Sequence, residues 1–60
     1  MSDAALLDLL ARHPIPVDAL AASAGVEVAA IERRLAPLVA AGKLAIELHD
    51  GLRMARAVMA

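Results

Sequence analysis

Hydrophobic and polar positions recur along the chain with two different periods. From Ser2 to Ala41 the apolar residues return at intervals of three and four, the spacing of one face of an α-helix. From Leu44 onward the interval becomes two, as in a strand with one buried face. Proline and glycine divide the helical part into short pieces. The pattern predicts a mainly α-helical domain that ends in a small β-hairpin, an α+β class.

Three helices are predicted, over about 2–12, 17–23 and 28–41. Ser2 is a favourable N-cap for the first, and Pro14 ends it because a residue before proline avoids helical geometry. The second helix follows Pro16, and Gly25 is placed to take the left-handed conformation that closes a helix. The third helix ends at Gly42. Its predicted buried stripe consists of Val28, Ile31, Leu35, Leu38 and Val39.

The segment 44–58 is predicted to form the hairpin, with Leu44, Ile46 and Leu48 facing inward. The chain then turns at 49–51 and returns. Ile15, in the extended segment between the first two helices, is expected to supply a third strand. The sheet is therefore expected to hold two or three short strands.

Two registers of this hairpin are conceivable. A two-residue turn at Asp50 and Gly51 sets Leu48 against Arg53, which puts a charge on the expected buried face. A three-residue loop with Gly51 in the left-handed conformation sets Leu48 against Leu52 instead. It also places Glu47 opposite Arg53 on the outer face, a favourable cross-strand pair. We therefore expect the three-residue loop.

Composition excludes several classes of protein. The chain has 60 residues, 6.2 kDa, no cysteine and no aromatic residue. It therefore offers no disulfide framework, no cysteine-based zinc or iron–sulfur site and no aromatic platform for stacking bases. The longest stretch without a charge is eight residues, far too short for a membrane span. We expect a single cytoplasmic domain that does not contact a membrane.

The apolar residues are expected to form only a small hydrophobic core. Sixteen of the 60 residues are alanine, which buries little area. A chain of this length is close to the lower limit for independent folding. Self-association into a homodimer is the expected supplement, since neither a metal nor a disulfide is available. The apolar tail 57–60 is expected either to pack against the first helix or to form a dimer seam.

The residues give no sign of catalysis. His13 and His49 are the only histidines, and no third ligand stands at a spacing that suits a metal. The carboxylates of Asp3 and Asp8 fall on the first predicted helix and that of Asp18 on the second, without a nucleophile or base beside them. We expect no enzyme activity, no cofactor and no metal.

Three positions in the middle of the chain fit a helix-turn-helix unit. Ala21 allows two helices to approach, Gly25 makes the turn, and the β-branched Ile31 locks the third helix to the second. The segment 16–35 resembles the DeoR-type regulators, and 38–44 is similar to the junction into the wing of DeoR, MarR and related families. This resemblance, over about 6–58, implies a three-helix winged helix-turn-helix domain, typical of bacterial transcriptional regulators.

For function, the resemblance implies binding of double-stranded DNA, with the third helix in the major groove and the hairpin wing along the backbone. Glu27 and Ala30 depart from the family, which usually has Ser or Thr there. The candidate DNA-binding residues carried over to this chain are Val28, Ala29, Glu32, Arg33, Lys43 and Arg53.

The charge supports a second hypothesis. The net charge is −1, and the two acidic and two basic residues of 27–34 cancel. Non-specific DNA affinity comes almost wholly from neutralised phosphates, so a nearly neutral chain is expected to bind DNA weakly. The alternative is a winged-helix module that docks onto a protein partner or a larger chain, through the third helix or through the first helix and the tail.

Overall fold

A computed structural model describes residues 2–58 and contains three helices and a three-stranded antiparallel sheet. The predicted α+β class and the predicted helices are confirmed, with each helix end within one residue of its expected place. The third strand at Ile15 is also confirmed. The elements are α1 (Asp3–Arg12), β1 (Ile15–Pro16), α2 (Val17–Ala24), α3 (Val28–Ala40), β2 (Leu44–His49) and β3 (Leu52–Ala57).

The helix ends follow from local chemistry. The Ser2 hydroxyl accepts a hydrogen bond from the Ala5 amide at 3.1 Å, which caps the start of α1. After α2, Gly25 has a φ of 69°, and the next amide, that of Val26, donates to the Ala21 carbonyl at 3.0 Å. This is a Schellman closure, which requires a left-handed residue and therefore favours glycine. The same arrangement ends α3 at Gly42.

The core lies between the three helices and one face of the sheet. Leu35 of α3 and Ala55 of β3 are fully buried, and Ala21 and Ile31 are 2% and 4% exposed. Ala21 and Ile31, the residues expected to join the second and third helices, both belong to the buried cluster, and α2 and α3 contact each other. The other buried residues are Leu6, Leu10, Val17, Leu20, Leu38 and Leu44.

The hairpin register differs from the expected one. The turn has two residues, Asp50 and Gly51, and Leu48 lies opposite Arg53. Both turn residues have positive φ, 51° and 80°. A type I′ turn has positive φ at both central residues, and its twist matches that of the strands it joins, which is why Asp-Gly is a strong hairpin signal. The predicted three-residue loop is therefore wrong.

That prediction assumed that Leu48 is buried, and this assumption is also wrong. Of the three inward positions, Leu44 is buried and Ile46 is partly buried, but Leu48 is 72% exposed. The end of the hairpin extends beyond the core, so Arg53 opposite Leu48 does not bring a charge into it. Glu47 lies opposite Met54, not Arg53.

The tail is described only in part. Ala57 ends β3 and packs against the core, while Val58 is 39% exposed. Residues 59 and 60 lie outside the described part of the chain, so both readings of the tail stay predictions. Within residues 2–58, no helix combines the length and the apolar character needed to cross a membrane.

Candidate nucleic-acid interface

The solvent-facing side of α3 carries two of the candidate residues. Ala29 and Arg33 are one helical turn apart and both are exposed. They lie on the side of the helix opposite the buried stripe of Ile31, Leu35 and Leu38. An arginine is thus presented to solvent with an alanine methyl group one helical turn before it.

Val28 and Glu32 occupy the border between this face and the core. Val28 is partly buried and packs against the core cluster, so its side chain contributes to the interior as well as to the surface. Glu32 is 39% exposed and points toward the hairpin, where Arg53 Nη2 lies 2.6 Å from Glu32 Oε1. Two candidate residues from distant parts of the sequence therefore contact each other.

This contact changes the acid–base properties of both groups. The hydrogen bond from Arg53 is the largest influence on the Glu32 carboxyl and lowers its pKa; desolvation opposes this lowering, and the positive charge of the guanidinium adds a smaller one. The pKa of Arg53 is raised in return, first by its hydrogen bond to Glu32 and then by the charge of Glu32, with a further contribution from Asp18 at the start of α2. Arg53 thus lies among carboxylates of α2 and α3.

The remaining basic side chains fall into two groups. Arg12, Arg34 and Arg56 form ion pairs with Asp8, Asp3 and Glu47, the first at 3.3 Å and the second at 3.6 Å. Within residues 2–58, no ion pair involves Arg33 or Lys43. The freely available positive charge in this part of the chain therefore comes from these two exposed side chains.

Lys43 is separated from Arg33 along α3. It follows Gly42 in the closure of the helix, where its amide donates to the Leu38 carbonyl at 2.9 Å. Roughly two helical turns lie between Arg33 and the end of α3 at Ala40. The candidate cations are thus spread along the helix and do not form one dense basic patch.

Sequence reasoning missed Asp18 and Arg56. In the sequence Asp18 is only a carboxylate without a catalytic partner, yet its charge acts on Arg53. Arg56 pairs with Glu47 on the outer face of the sheet. The Asp-Gly dipeptide was the available signal for Arg56, because the two-residue turn places Glu47 and Arg56 on the same face. No local pattern indicated Asp18.

The described residues do not form a metal-binding site. Between residues 2 and 58, no three His, Cys, Asp or Glu side chains come close enough together to hold an ion. A shallow depression on the outer face of the sheet is lined by Pro14, Leu52, Met54 and the Glu47–Arg56 pair. It is open to solvent and holds no unsatisfied buried polar atom.

Comparison with models of known families, with curated proteins and with solved structures finds no match to this chain. The fold class therefore rests on the elements and register described above. Any assignment of function rests on the groups that α3 and the hairpin expose, together with the sequence resemblance.

Proposed function

We propose that the chain is a winged helix-turn-helix module that binds double-stranded DNA, as a bacterial transcriptional regulator or as the DNA-targeting domain of a larger protein. In this proposal α2, the Gly25 turn and α3 form the helix-turn-helix, and β2 with β3 forms the wing. The observation that carries it is the exposed face of α3, where Arg33 has no ion-pair partner within residues 2–58.

This face suits a major groove. The groove is about 12 Å wide and admits an α-helix. Arg33 is able to donate two hydrogen bonds to the O6 and N7 atoms of a guanine, the commonest base-specific contact. Ala29, one turn earlier, offers a methyl group to a thymine methyl, and its small size lets the helix backbone approach the bases.

Lys43 and Arg53 are the residues proposed to contact phosphates of the DNA backbone. Lys43 is exposed and lies past the end of α3, where it is able to reach a strand flanking the groove. Arg53 must exchange the Glu32 carboxylate for a phosphate, which is feasible because both members of the pair are more than one-third exposed. With so few neutralised phosphates, binding is weak and falls modestly with salt, with a slope of about −2 in log–log form.

A duplex titration at low salt tests the proposal. Random-sequence DNA is added to the wild-type chain, to Arg33→Ala and to Arg12→Ala. Both substitutions remove one positive charge, but Arg12 lies on α1 and is paired with Asp8. Arg33→Ala is expected to weaken binding about tenfold and Arg12→Ala by much less. Absence of binding at tens of micromolar protein, or equal losses in both variants, contradicts the proposal.

A second candidate is a protein-docking winged helix without significant DNA affinity. The ion pairs favour it, since four of the five arginines lie against carboxylates within residues 2–58. Exposed apolar side chains on the hairpin, Leu48 and Leu52, add surface of the kind that partners cover. The same titration separates the candidates: a folded chain that shows no salt-dependent DNA binding supports docking.

A further inference from the structure

The part of the hairpin around its turn projects beyond the core. At the other end of the hairpin, Leu44 is buried and Ala57 packs against the buried cluster. Every residue from 47 to 53 is exposed, including Asp50 and Gly51 of the turn. We call residues 47–53 the hairpin end. Because none of its side chains is buried, few contacts fix its position relative to the helices.

One polar contact joins the hairpin end to a helix. Within residues 2–58, the only ion pair or hydrogen bond between the hairpin end and α1, α2 or α3 is that of Arg53 with Glu32. The other ion pair of the hairpin end, Glu47 with Arg56, lies within the sheet. The Glu32–Arg53 pair therefore holds the hairpin end beside α3.

The register of the sheet places Arg53 where it makes this contact. Arg53 lies opposite Leu48, and the two side chains share the face of the sheet that is turned toward the helices. Leu48 is 72% exposed, so the space beside the ion pair is open to solvent and to a ligand. The charge of Asp18, at the start of α2, also acts on the guanidinium of Arg53.

We propose that the Glu32–Arg53 pair is an autoinhibitory contact, in which Glu32 takes the place of a DNA phosphate and holds the hairpin end against α3 until DNA displaces it. This inference rests on the proposed function, because it concerns the phosphate contact assigned there to Arg53. It adds a regulatory step: the pair is closed in the free chain, and DNA binding opens it and releases the hairpin end toward the DNA backbone.

A carboxylate is a close substitute for a phosphate at this position. Both groups offer anionic oxygens to a guanidinium, and arginine binds both through the same planar set of N–H donors. Arg53 Nη2 lies 2.6 Å from Glu32 Oε1, a close charge-assisted contact. A phosphate must therefore compete with Glu32 for donors that are already in use.

The exposure of the pair limits the strength of this competition. Arg53 and Glu32 are 46% and 39% exposed, so water and salt screen their attraction. An exposed ion pair changes an equilibrium by about fivefold at most. Duplex DNA carries about one negative charge per 1.7 Å of its axis, which is enough to displace a single carboxylate. The pair therefore lowers DNA affinity by a small factor and does not prevent binding.

A double-mutant cycle on duplex affinity tests the proposal. Random-sequence DNA is titrated at low salt with the wild-type chain, Glu32→Gln, Arg53→Ala and the double variant. In the wild-type chain, the loss of the Arg53 phosphate contact is partly offset, because no ion pair has to open. This offset is absent in the Glu32→Gln background. Arg53→Ala is therefore expected to weaken binding about two- to fivefold more in that background than in the wild type.

Asp8→Asn is the matched control background. It also removes one negative charge and one exposed ion pair, but Asp8 lies on α1 and pairs with Arg12. Arg53→Ala is expected to weaken binding by the same factor in the Asp8→Asn background as in the wild type. An equally enlarged loss in the Asp8→Asn and Glu32→Gln backgrounds shows an effect of net charge alone and overturns the proposal.

NMR relaxation of the free chain tests the closed contact without DNA. Glu32→Gln is expected to increase the picosecond-to-nanosecond motion of the Asp50 and Gly51 amides, because the hairpin end then lacks its ion pair with α3. Asp8→Asn is expected to leave the relaxation of these amides unchanged. Identical relaxation in the wild-type chain and Glu32→Gln overturns the closed contact. Circular dichroism of each variant confirms that the fold is retained.

The DNA titrations distinguish a failure of the autoinhibitory contact from a failure of the proposed function. If the chain binds DNA and Arg33→Ala weakens binding, but Arg53→Ala costs the same with and without Glu32→Gln, only the autoinhibitory contact is overturned. If none of the variants binds DNA, the proposed function is overturned together with it.

Discussion

Arg53 Nη2 of β3 lies 2.6 Å from Glu32 Oε1 of α3 and so ties the hairpin to the third helix. Both residues were candidates for DNA contact. In the free chain they satisfy each other, and Asp18 adds negative charge nearby. Binding of a phosphate by Arg53 therefore requires Glu32 to release it, and Glu32 then remains as a negative charge beside the DNA backbone.

Glu32→Gln is expected to raise DNA affinity several-fold. The substitution removes a carboxylate that repels phosphates, and it frees the guanidinium of Arg53. Glu47→Gln is the matched control, since it changes the net charge equally and frees Arg56 on the outer face of the sheet. The measurement is a duplex titration at low salt. Equal gains in the two variants would show that only net charge matters.

Acid is expected to weaken the fold through Glu32 and Glu47. Arginine partners lower the pKa of both carboxyls in the folded chain below the value of 4.5 that applies when it is unfolded. Below pH 4.5 the unfolded state therefore binds more protons, and this stabilisation is lost as the pH falls through the folded-state pKa. Thermal melts between pH 6 and 3 measure the loss.

The double variant Glu32→Gln/Glu47→Gln provides the control for that pH effect. Its melting temperature is expected to fall less steeply with acid than that of the wild-type chain, because two of the groups with lowered pKa are gone. The pairs are partly exposed, so the difference is small and shrinks in added salt. Identical pH profiles would contradict the assignment.

Gly25→Ala is expected to destabilise the fold by about 1 to 2 kcal/mol. The residue has a φ of 69°, and an added Cβ would meet no atom within 4 Å. The cost therefore comes from the left-handed backbone and not from a clash. Gly25→Asn should lose less, because asparagine tolerates this conformation. Urea unfolding of both variants measures the difference, and a loss for Gly25→Asn as large as that for Gly25→Ala would contradict a cost set by the left-handed backbone.

Leu35→Ala is expected to cost about 2 to 5 kcal/mol, enough to unfold so small a domain. Leu35 is fully buried in the centre of the core, whereas Val39 on the same helix is 41% exposed. Val39→Ala therefore serves as a control and is expected to cost well under 1 kcal/mol. Denaturant unfolding of both proteins tests the ranking, which would be wrong if the two losses were similar.

The elements of this fold could be predicted from the sequence, because periodicity, Ser2 and the glycines act locally. The exposed position of Arg33 could also be predicted, since the period of a helix fixes which side lies opposite Ile31 and Leu35. The hairpin register could not. Its choice depended on whether Leu48 was buried, which is decided by how far the helices extend over the sheet.

The ion pairs at the site were predicted wrongly because the register of the hairpin was predicted wrongly. The expected pair of Glu47 with Arg53 was replaced by Glu47 with Arg56 and Glu32 with Arg53. The second pair joins residues 21 positions apart in different elements, and no local pattern connects them. Contacts of this kind depend on tertiary packing, whereas a turn dipeptide such as Asp-Gly carries its geometry in its own backbone preferences.

The two-residue turn at Asp50 and Gly51 also determines which arginine of β3 faces α3. Arg53 and Arg56 are an odd number of residues apart on β3, so they always lie on opposite faces of the sheet. With the present loop length, Arg53 faces α3 and Arg56 faces outward. If β3 kept its pairing with β2 but slipped by one residue, the two arginines would exchange faces. The length of this turn thus determines which arginine side chain lies beside the third helix, with no change in amino-acid composition.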